Sequence, residues 1–354
     1  MAPTPVYAAP GCPADDGRHD EGMTIVDWLL HPESAPEKLL LMVLAIALFV
    51  VVMGAILLGI DRLRRAPTWL VVLGFLGPTL LFLTFGLLYP AMRTVWLSFR
   101  DGRGRNFVGV DNYVTAFTQD QFQVVLRNTA LWVVLVPLVS TLFGLVYAVL
   151  VDRTRFEYLA KTLVFLPMSI SLVGASIIWK FVYEYKPVQG TIQQTGLLNQ
   201  VLVWIGLEPQ QFLQAQPWNN LFLIVVMIWI QAGFAMTVLS AAVKAIPDDI
   251  VEAARLDGLH GLSMFRFITV PSIRPALVVV LTTIAMATLK VFDIVRTMTG
   301  GNFNTSIVAY EYYTQSFTAR NQGLGAALAV ILFVLVIPII VYNVRQLKLA
   351  EEIR

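Results

Sequence analysis

The chain reads as an all-α, polytopic membrane protein, and three features of the sequence lead there. Of its 354 residues, 57% are hydrophobic and only 14% charged, whereas a water-soluble domain has roughly a quarter of its residues charged. Apolar runs of about 20 residues, enough to cross the hydrocarbon core, recur along the chain. Between two of them lies a polar insert rich in capping and turn residues.

Taken in order, the first 38 residues are polar, Pro-rich and acidic, with Asp15, Asp16, Asp20, Glu21, Asp27, Glu33 and Glu37 against Arg18 and Lys38. No apolar stretch precedes Cys12, and no cleavable leader is expected. As the single cysteine it excludes an internal disulfide and a cysteine-based metal cage. His19, His31 and His260 are scattered and make no metal site. An extra N-terminal span is expected at 39–60. A core over 69–345 follows, with spans at 69–96, 128–151, 160–181, 219–243, 276–292 and 323–344, and a short tail at 346–354. The prolines inside the runs, Pro78, Pro90, Pro137 and Pro338, are expected to relax helices. Gly144, Gly174 and Gly325 are expected to let helices pack closely.

Lysine and arginine in the short loops set the orientation. Arg62, Arg64 and Arg65, then Arg153, Arg155 and Lys161, then Arg345, Lys348 and Arg354 all fall on one side in a seven-span count. That side is predicted to be cytoplasmic, which puts the acidic N-terminus outside and the C-terminus inside. Arg100, Arg103 and Arg105 lie outside in a longer loop, where basic residues are less dense. Nothing combines a basic run with interleaved aromatics, so no nucleic-acid partner is expected.

The polar insert occupies 245–275, on the same side. Asp248 or Asp249 can cap a helix after Pro247, and Glu252 stands three residues beyond Asp249 as in a capping box. Gly258 suits a left-handed helix end. A second short helix, about 262–269, is expected to stop before Pro271. The small residues Ala253 and Ala254 are expected on the surface, where they would let another protein approach closely.

This pattern, with Asp257-Gly258 and then Ile268-Thr269-Val270-Pro271 and Pro275, resembles the cytoplasmic coupling loop of ABC-importer permease subunits. Further likeness to the carbohydrate-uptake branch, the maltose and α-glucoside type, runs from about Trp69 onward. It includes Leu88-Tyr89-Pro90, Trp96-Leu97-Ser98-Phe99, Phe107 through Tyr113, Arg127-Asn128-Thr129 and Thr299-Gly300-Gly301. Leu259 and Val270 depart from the family pattern by apolar exchange. The resemblance implies a type I ABC-importer permease fold, a six-helix core plus one extra N-terminal helix. It implies as partners a second permease, two ATP-binding subunits, an extracytoplasmic sugar-binding protein and membrane lipid. It also implies that Asp249, Glu252, Ala253, Ala254, Asp257, Gly258 and Pro271 form the ATPase-coupling loop.

Energy supply is consistent with that. No Asp or Glu lies in the apolar cores of the expected spans, and such carboxylates are the usual ion and proton relays of secondary carriers. No Gly-x-x-x-x-Gly-Lys phosphate loop occurs either. No cofactor is expected, and no cluster of acid, base or metal ligands suggests a membrane enzyme.

Solute sites of transporters lie near the midplane, at polar or interrupted stretches. Gln231, with Trp229 and Phe234, makes one such stretch, and the end of the sixth span makes another. By resemblance the sugar contacts are Gln231, Phe234, Thr288 and Lys290, then Phe292 and Asp293. Gln231 alternatively bonds a neighbouring helix; Lys290 alternatively snorkels to the interface or pairs with Asp293. The aromatic rings alternatively serve as packing. The expected cargo is an α-glucoside-type oligosaccharide, with a polyol or glycerol phosphate as the alternative.

Overall fold

The computed structural model describes residues 34–62, 67–152, 154–187 and 196–352. The acidic residues before Ser34, Cys12, His19, His31, Arg64, Arg65, Arg153 and Arg354 lie outside the described residues. Two compact units divide the chain, Met1–Leu88 and Tyr89–Arg354.

In the first unit, helix α1 spans Ala35–Arg62 and α2 spans Thr68–Leu83. The start of α1 precedes the expected position 39 because Ser34 and Glu37 form a reciprocal cap. The Ser34 amide donates to Glu37 Oε2 at 3.2 Å and the Glu37 amide to Ser34 Oγ at 3.4 Å. Phe49 and Phe82 pack the two helices together at 6.3 Å between ring centroids. Pro78 lies inside α2, and a π-helical turn, Thr84–Leu88, follows it. The Thr84 hydroxyl donates to the Leu80 carbonyl at 2.7 Å within that stretch.

In the second unit α3 is Tyr89–Leu97, α4 Asp111–Thr118, α5 Asp120–Val151, α6 Glu157–Phe165, α7 Leu172–Val182, α8 Leu197–Trp204 and α9 Asn219–Lys244. Helices α5 and α9 form its centre and run parallel. At one end Trp132 Nε1 donates to Asn220 Oδ1 at 2.7 Å; at the other Lys244 reaches Asp152 at 3.5 Å. Between those ends Gly144 lets the backbones meet, since a Cβ there would lie 2.5 Å from the Ala235 Cβ.

Two parallel neighbours require the chain to return between them, and α6 and α7 make that crossing. The expected straight span at 160–181 is instead a pair of helices bent by 104°. The cause is local. Pro167 begins a 3-10 turn, Leu166–Ser169, and Ile170 and Ser171 are extended. The Ser171 hydroxyl then accepts the Gly174 amide at 3.1 Å, starting a new helix. Gly174 therefore meets only its own cap, not another helix, contrary to the packing role expected from the sequence. Gly233 has that role instead, because a Cβ on it would lie 2.5 Å from the Val164 carbonyl of α6. Gly144 does pack closely, and so does Gly325, against Ser316.

Beyond α9 come α10 (Asp248–Leu256), α11 (Gly261–Met264), a π turn (Phe265–Thr269), α12 (Val270–Ser272) and α13 (Arg274–Leu289). Then follow α14 (Asp293–Met298), α15 (Val308–Tyr313), a π turn (Thr314–Thr318) and α16 (Gln322–Glu352). Among the described residues, five helices are long and apolar enough to cross a membrane, or up to seven if each bent pair is one span. The second bent pair is Gly261–Ser272 with α13, at 71°. Alone, the 16 residues of α13 reach about 24 Å at roughly 1.5 Å per residue. That agrees with the shortness expected of the sixth run.

The end of the unit that holds Asn128 is fastened by buried polar side chains. Asn128 Nδ2 donates to the carbonyls of Asn304 and Ser306 at 2.7 and 2.9 Å, and Asn219 Nδ2 to that of Phe303 at 2.7 Å. The Val308 amide donates to Thr129 Oγ1 at 2.9 Å. These bonds hold Phe303 and Asn304 at φ of 56° and 59°, left-handed values uncommon for residues other than glycine.

Candidate functional site

Residues 248–272 form a helix–turn–helix that projects beyond the Lys244 end. Pro247 occupies the N-cap position of α10 and offers no side-chain cap. The capping box expected of Asp249 and Glu252 is not formed, because Asp249 Oδ1 instead accepts the Ile250 amide at 2.9 Å. Gly258 fulfils its expected role, with φ of 84°. The Leu259 amide donates to the Ala254 carbonyl at 2.9 Å and the Gly258 amide to that of Arg255 at 3.1 Å, the paired bonds of a Schellman turn. A capping box occurs one turn later instead, between His260 and Ser263.

The second helix does not stop before Pro271 but continues to Ser272. The π turn over Phe265–Thr269 widens the helix just ahead of the proline, whose missing amide then falls in the first turn of α12. The chain bends at the buried Ile273.

Exposure corrects the expected surface. Glu252, Ala253, Asp257 and Gly258 are exposed, but Ala254 is buried. The side chains that stand out are Leu256, 90% exposed, and Leu262, 79% exposed. Sequence reading passed over both, although each is a large apolar residue flanking the Asp257-Gly258 turn. Among the described residues, Ala254 is the one buried side chain of α10, and the helix packs only sparsely on the others. An exposed apolar pair rimmed by Glu252, Arg255 and Asp257 has the form of a protein-docking surface.

The solute candidates fall in two groups. Gln231 and Phe234 are half-buried on α9, and Gln231 makes no side-chain hydrogen bond to a described residue. Trp229 packs edge-on against Trp179 at 5.7 Å. Thr288 is buried and its hydroxyl donates to the Ile284 carbonyl at 2.7 Å, so its oxygen is engaged within its own helix. Lys290 ends α13 and is exposed. It forms no ion pair with Asp293, which instead opens α14.

Phe292 lies in a cluster that the sequence left unassembled. Its ring stacks on Tyr310 at 5.8 Å and tilts against Tyr313 at 4.9 Å. The Arg296 guanidinium sits 4.6 Å from the Tyr313 centroid and 5.5 Å from that of Phe292, within cation–π range. Gly300 and Gly301 shape the adjoining loop at φ of 62° and 74°, and the Tyr310 hydroxyl donates to the Gly300 carbonyl at 2.9 Å. The sequence signal was the pair Tyr310 and Tyr313, three apart and so on one helical face, but nothing local ties them to Phe292. Buried Glu311 also escaped notice, because it lies between the expected spans; it accepts from Ser306 Oγ at 3.0 Å and Gln315 Nε2 at 2.8 Å.

Residues 122–347 match the family model described as binding-protein-dependent transport system inner membrane component. The chain belongs to this family. It is 49% identical over 280 residues to the osmoprotective compounds uptake permease protein GgtC of Synechocystis sp., covering 79% of this chain and 100% of that one. It is 46% identical over 273 residues to the alpha-glucoside transport system permease protein AglF of Rhizobium meliloti, covering 77% of this chain and 81% of that one. Among solved structures, a chain of a bacterial ABC transporter involved in import of the acidic polysaccharide alginate superposes with a TM-score of 0.67 at 24% identity. That match covers 78% of this chain and 94% of the other. The fold is that of a type I ABC permease, as expected, and the protein is an inner-membrane permease component of an ABC transport system that works with a binding protein.

Proposed function

We propose that this permease conducts an α-glucoside-type oligosaccharide and is driven through the 248–272 protrusion. The protrusion carries the reading. Its two exposed leucines, supported by a Schellman turn and little else, are suited to the cleft of an ATP-binding subunit. Glu252 and Asp257 supply polar contacts at the rim, Ala253 and Gly258 allow close approach, and Pro271 fixes the exit. Asp249 and buried Ala254 support the helix that presents them. Closure of two such subunits moves the protrusion, and the 71° bend at Ile273 passes the movement to α13.

The assembly comprises this chain, a second permease, two ATP-binding subunits and an extracytoplasmic sugar-binding protein. The protrusion is cytoplasmic, the C-terminus lies on the same side, and a crossing by α1 places the N-terminus outside. The chain itself performs no covalent chemistry. The added span is α1, which starts at Ala35 rather than at 39, and the core starts near 69; α16 runs on to Glu352, so the tail expected at 346–354 is in its described part a continuation of that helix.

The sugar reading rests on the relative named for alpha-glucosides and on the Phe292 cluster. Flat aromatic faces suit sugar C–H surfaces, and Lys290, Asp293 and Gln231 offer hydrogen bonds to hydroxyls. Phe234 contributes a further ring. Thr288 requires its hydroxyl to leave Ile284 during transport. A second reading, an osmoprotective small solute, is favoured by the relative with 49% identity. Uptake by the assembled transporter in vesicles separates the two. Phe292→Ala should lower α-glucoside uptake about tenfold, since an aromatic contact contributes roughly 0.5–1.5 kcal/mol beyond burial. Unchanged uptake of α-glucosides in that variant, or preference for a small polyol in the wild type, would remove the α-glucoside assignment.

A further inference from the structure

Between α6 and α9, at the end next to the protrusion, lies a cavity of about 690 Å³. Its lining changes character in the same direction along both helices. At the mouth stand Arg155, Glu157, Lys161 and Lys244; deeper are Thr162 and Thr237, then Phe165 and Met236. The Thr162 and Thr237 hydroxyls donate to the carbonyls of Tyr158 and Gly233 at 2.9 and 2.8 Å. Each is thus satisfied by its own helix.

The charges at the mouth are organised. Glu157 Oε1 accepts from Lys161 at 2.6 Å and from Lys244 at 2.5 Å, and Lys161 also donates to Ser240 Oγ. Glu157 thus holds two ammonium groups, Lys244 also lies 3.5 Å from Asp152 Oδ1, and Arg155 makes no ion pair with a described residue. Arg155, Lys161 and Lys244 against Glu157 and the adjoining Asp152 leave the mouth net positive by one, the unpaired charge being Arg155. Tyr158, 87% exposed, stands beside them; tyrosine is enriched where the bilayer meets water.

We propose that this cavity binds an anionic phospholipid, with its phosphate at Arg155 and the Lys161–Lys244 pair and an acyl chain against Phe165 and Met236. A polar mouth above an apolar floor, between α9, long and apolar enough to cross the membrane, and α6, the first half of a bent apolar pair, matches a lipid more closely than it matches a sugar or a soluble anion. Basic pockets between transmembrane helices are established headgroup sites. The bound lipid would brace α6 against α9 beside the protrusion, whichever solute is carried.

Native mass spectrometry of the whole purified transporter tests this, with phosphatidylglycerol, phosphatidylcholine and inorganic phosphate as separate probes. The wild type should retain phosphatidylglycerol over phosphatidylcholine. Arg155→Gln, which leaves the Glu157 pairs intact, should lower that retention about fivefold, the effect of one cation near a membrane surface. Ala241→Trp, at an exposed wall position, should abolish it by filling the space. Equal retention of the two lipids, or retention unaffected by both variants, overturns the proposal. Displacement of the lipid by inorganic phosphate reassigns the site to a free anion, and cross-linking of Tyr158 to an ATP-binding subunit reassigns it to a protein; either result overturns it.

Discussion

The two ends of the second unit are built on different principles. At the Asn128 end, side chains far apart in sequence tie the loops down: Asn128 and Asn219 bind the 303–306 carbonyls, and Thr129 binds Val308. At the other end the 248–272 protrusion is held by its own backbone turn and presents Leu256 and Leu262 to the surroundings. One end is tied down by its own side chains, whereas the other leaves two leucines uncovered. A buried polar group without a partner costs about 1–3 kcal/mol, so the first end is fixed by its own stability. An exposed leucine pair gains nothing until covered, so the second end is suited to a partner.

The largest effect should come from Gly258→Val. A β-branched residue at φ of 84° faces a left-handed strain of at least about 1–2 kcal/mol, and the Schellman turn that aims the protrusion should open. Co-purification of the ATP-binding subunits should fall to background, while membrane insertion and thermal stability stay near wild type. If the subunits still co-purify, the contrast between the two ends loses its functional meaning.

Asn128→Leu addresses the opposite end. The carbonyls of buried Ser306 and exposed Asn304 lose their donor, for a cost of about 1–3 kcal/mol. Thermal melting of the purified transporter should report the loss directly. ATP-binding subunits should still bind in the variant. A variant that melts normally would show that the loops at the Asn128 end are not held as described.

The smallest effect concerns Asp101, whose carboxylate accepts the Arg105 amide at 2.7 Å and Asn106 Nδ2 at 2.8 Å. The Arg105 amide bond is the main cause holding its pKa below the ordinary value. A depressed carboxylate contributes stability that is present above its unfolded pKa and lost as pH falls through its folded one. Protection of the Arg105 amide from hydrogen exchange, relative to its intrinsic rate, should therefore be lost only as pH falls below the ordinary Asp value of about 4. Asp101→Asn should remove that dependence, and a pH response surviving in the variant would assign it to another group.

Much of this architecture was legible in the sequence because its signals are local. Gly258 states its own backbone conformation, and the apolar runs state their own environment. The break at Pro167 was legible too, in Pro167, Ser169 and Ser171 following one another, but hydropathy averaged over the run concealed it. Ala254 lies inside rather than on the surface, and Leu256 outside, because a two-turn helix has one inward face and only the three-dimensional turn decides which it is. The Phe292 cluster was not legible. It joins α14 and α15 to Phe292, the N-cap residue of α14, and no local pattern encodes which ring meets which. Thr288 shows the same limit from the other side, since the sequence offers a hydroxyl without revealing that Ile284 already accepts from it.

Accessibility of the leucine pair tests the whole account most directly. With Cys12 replaced by serine, Leu256→Cys and Leu262→Cys would be probed with a membrane-impermeant maleimide in inside-out vesicles. The account predicts protection while the ATP-binding subunits are bound, and full labelling once they are stripped. Labelling from the exterior of intact cells, or equal labelling with and without those subunits, would contradict it.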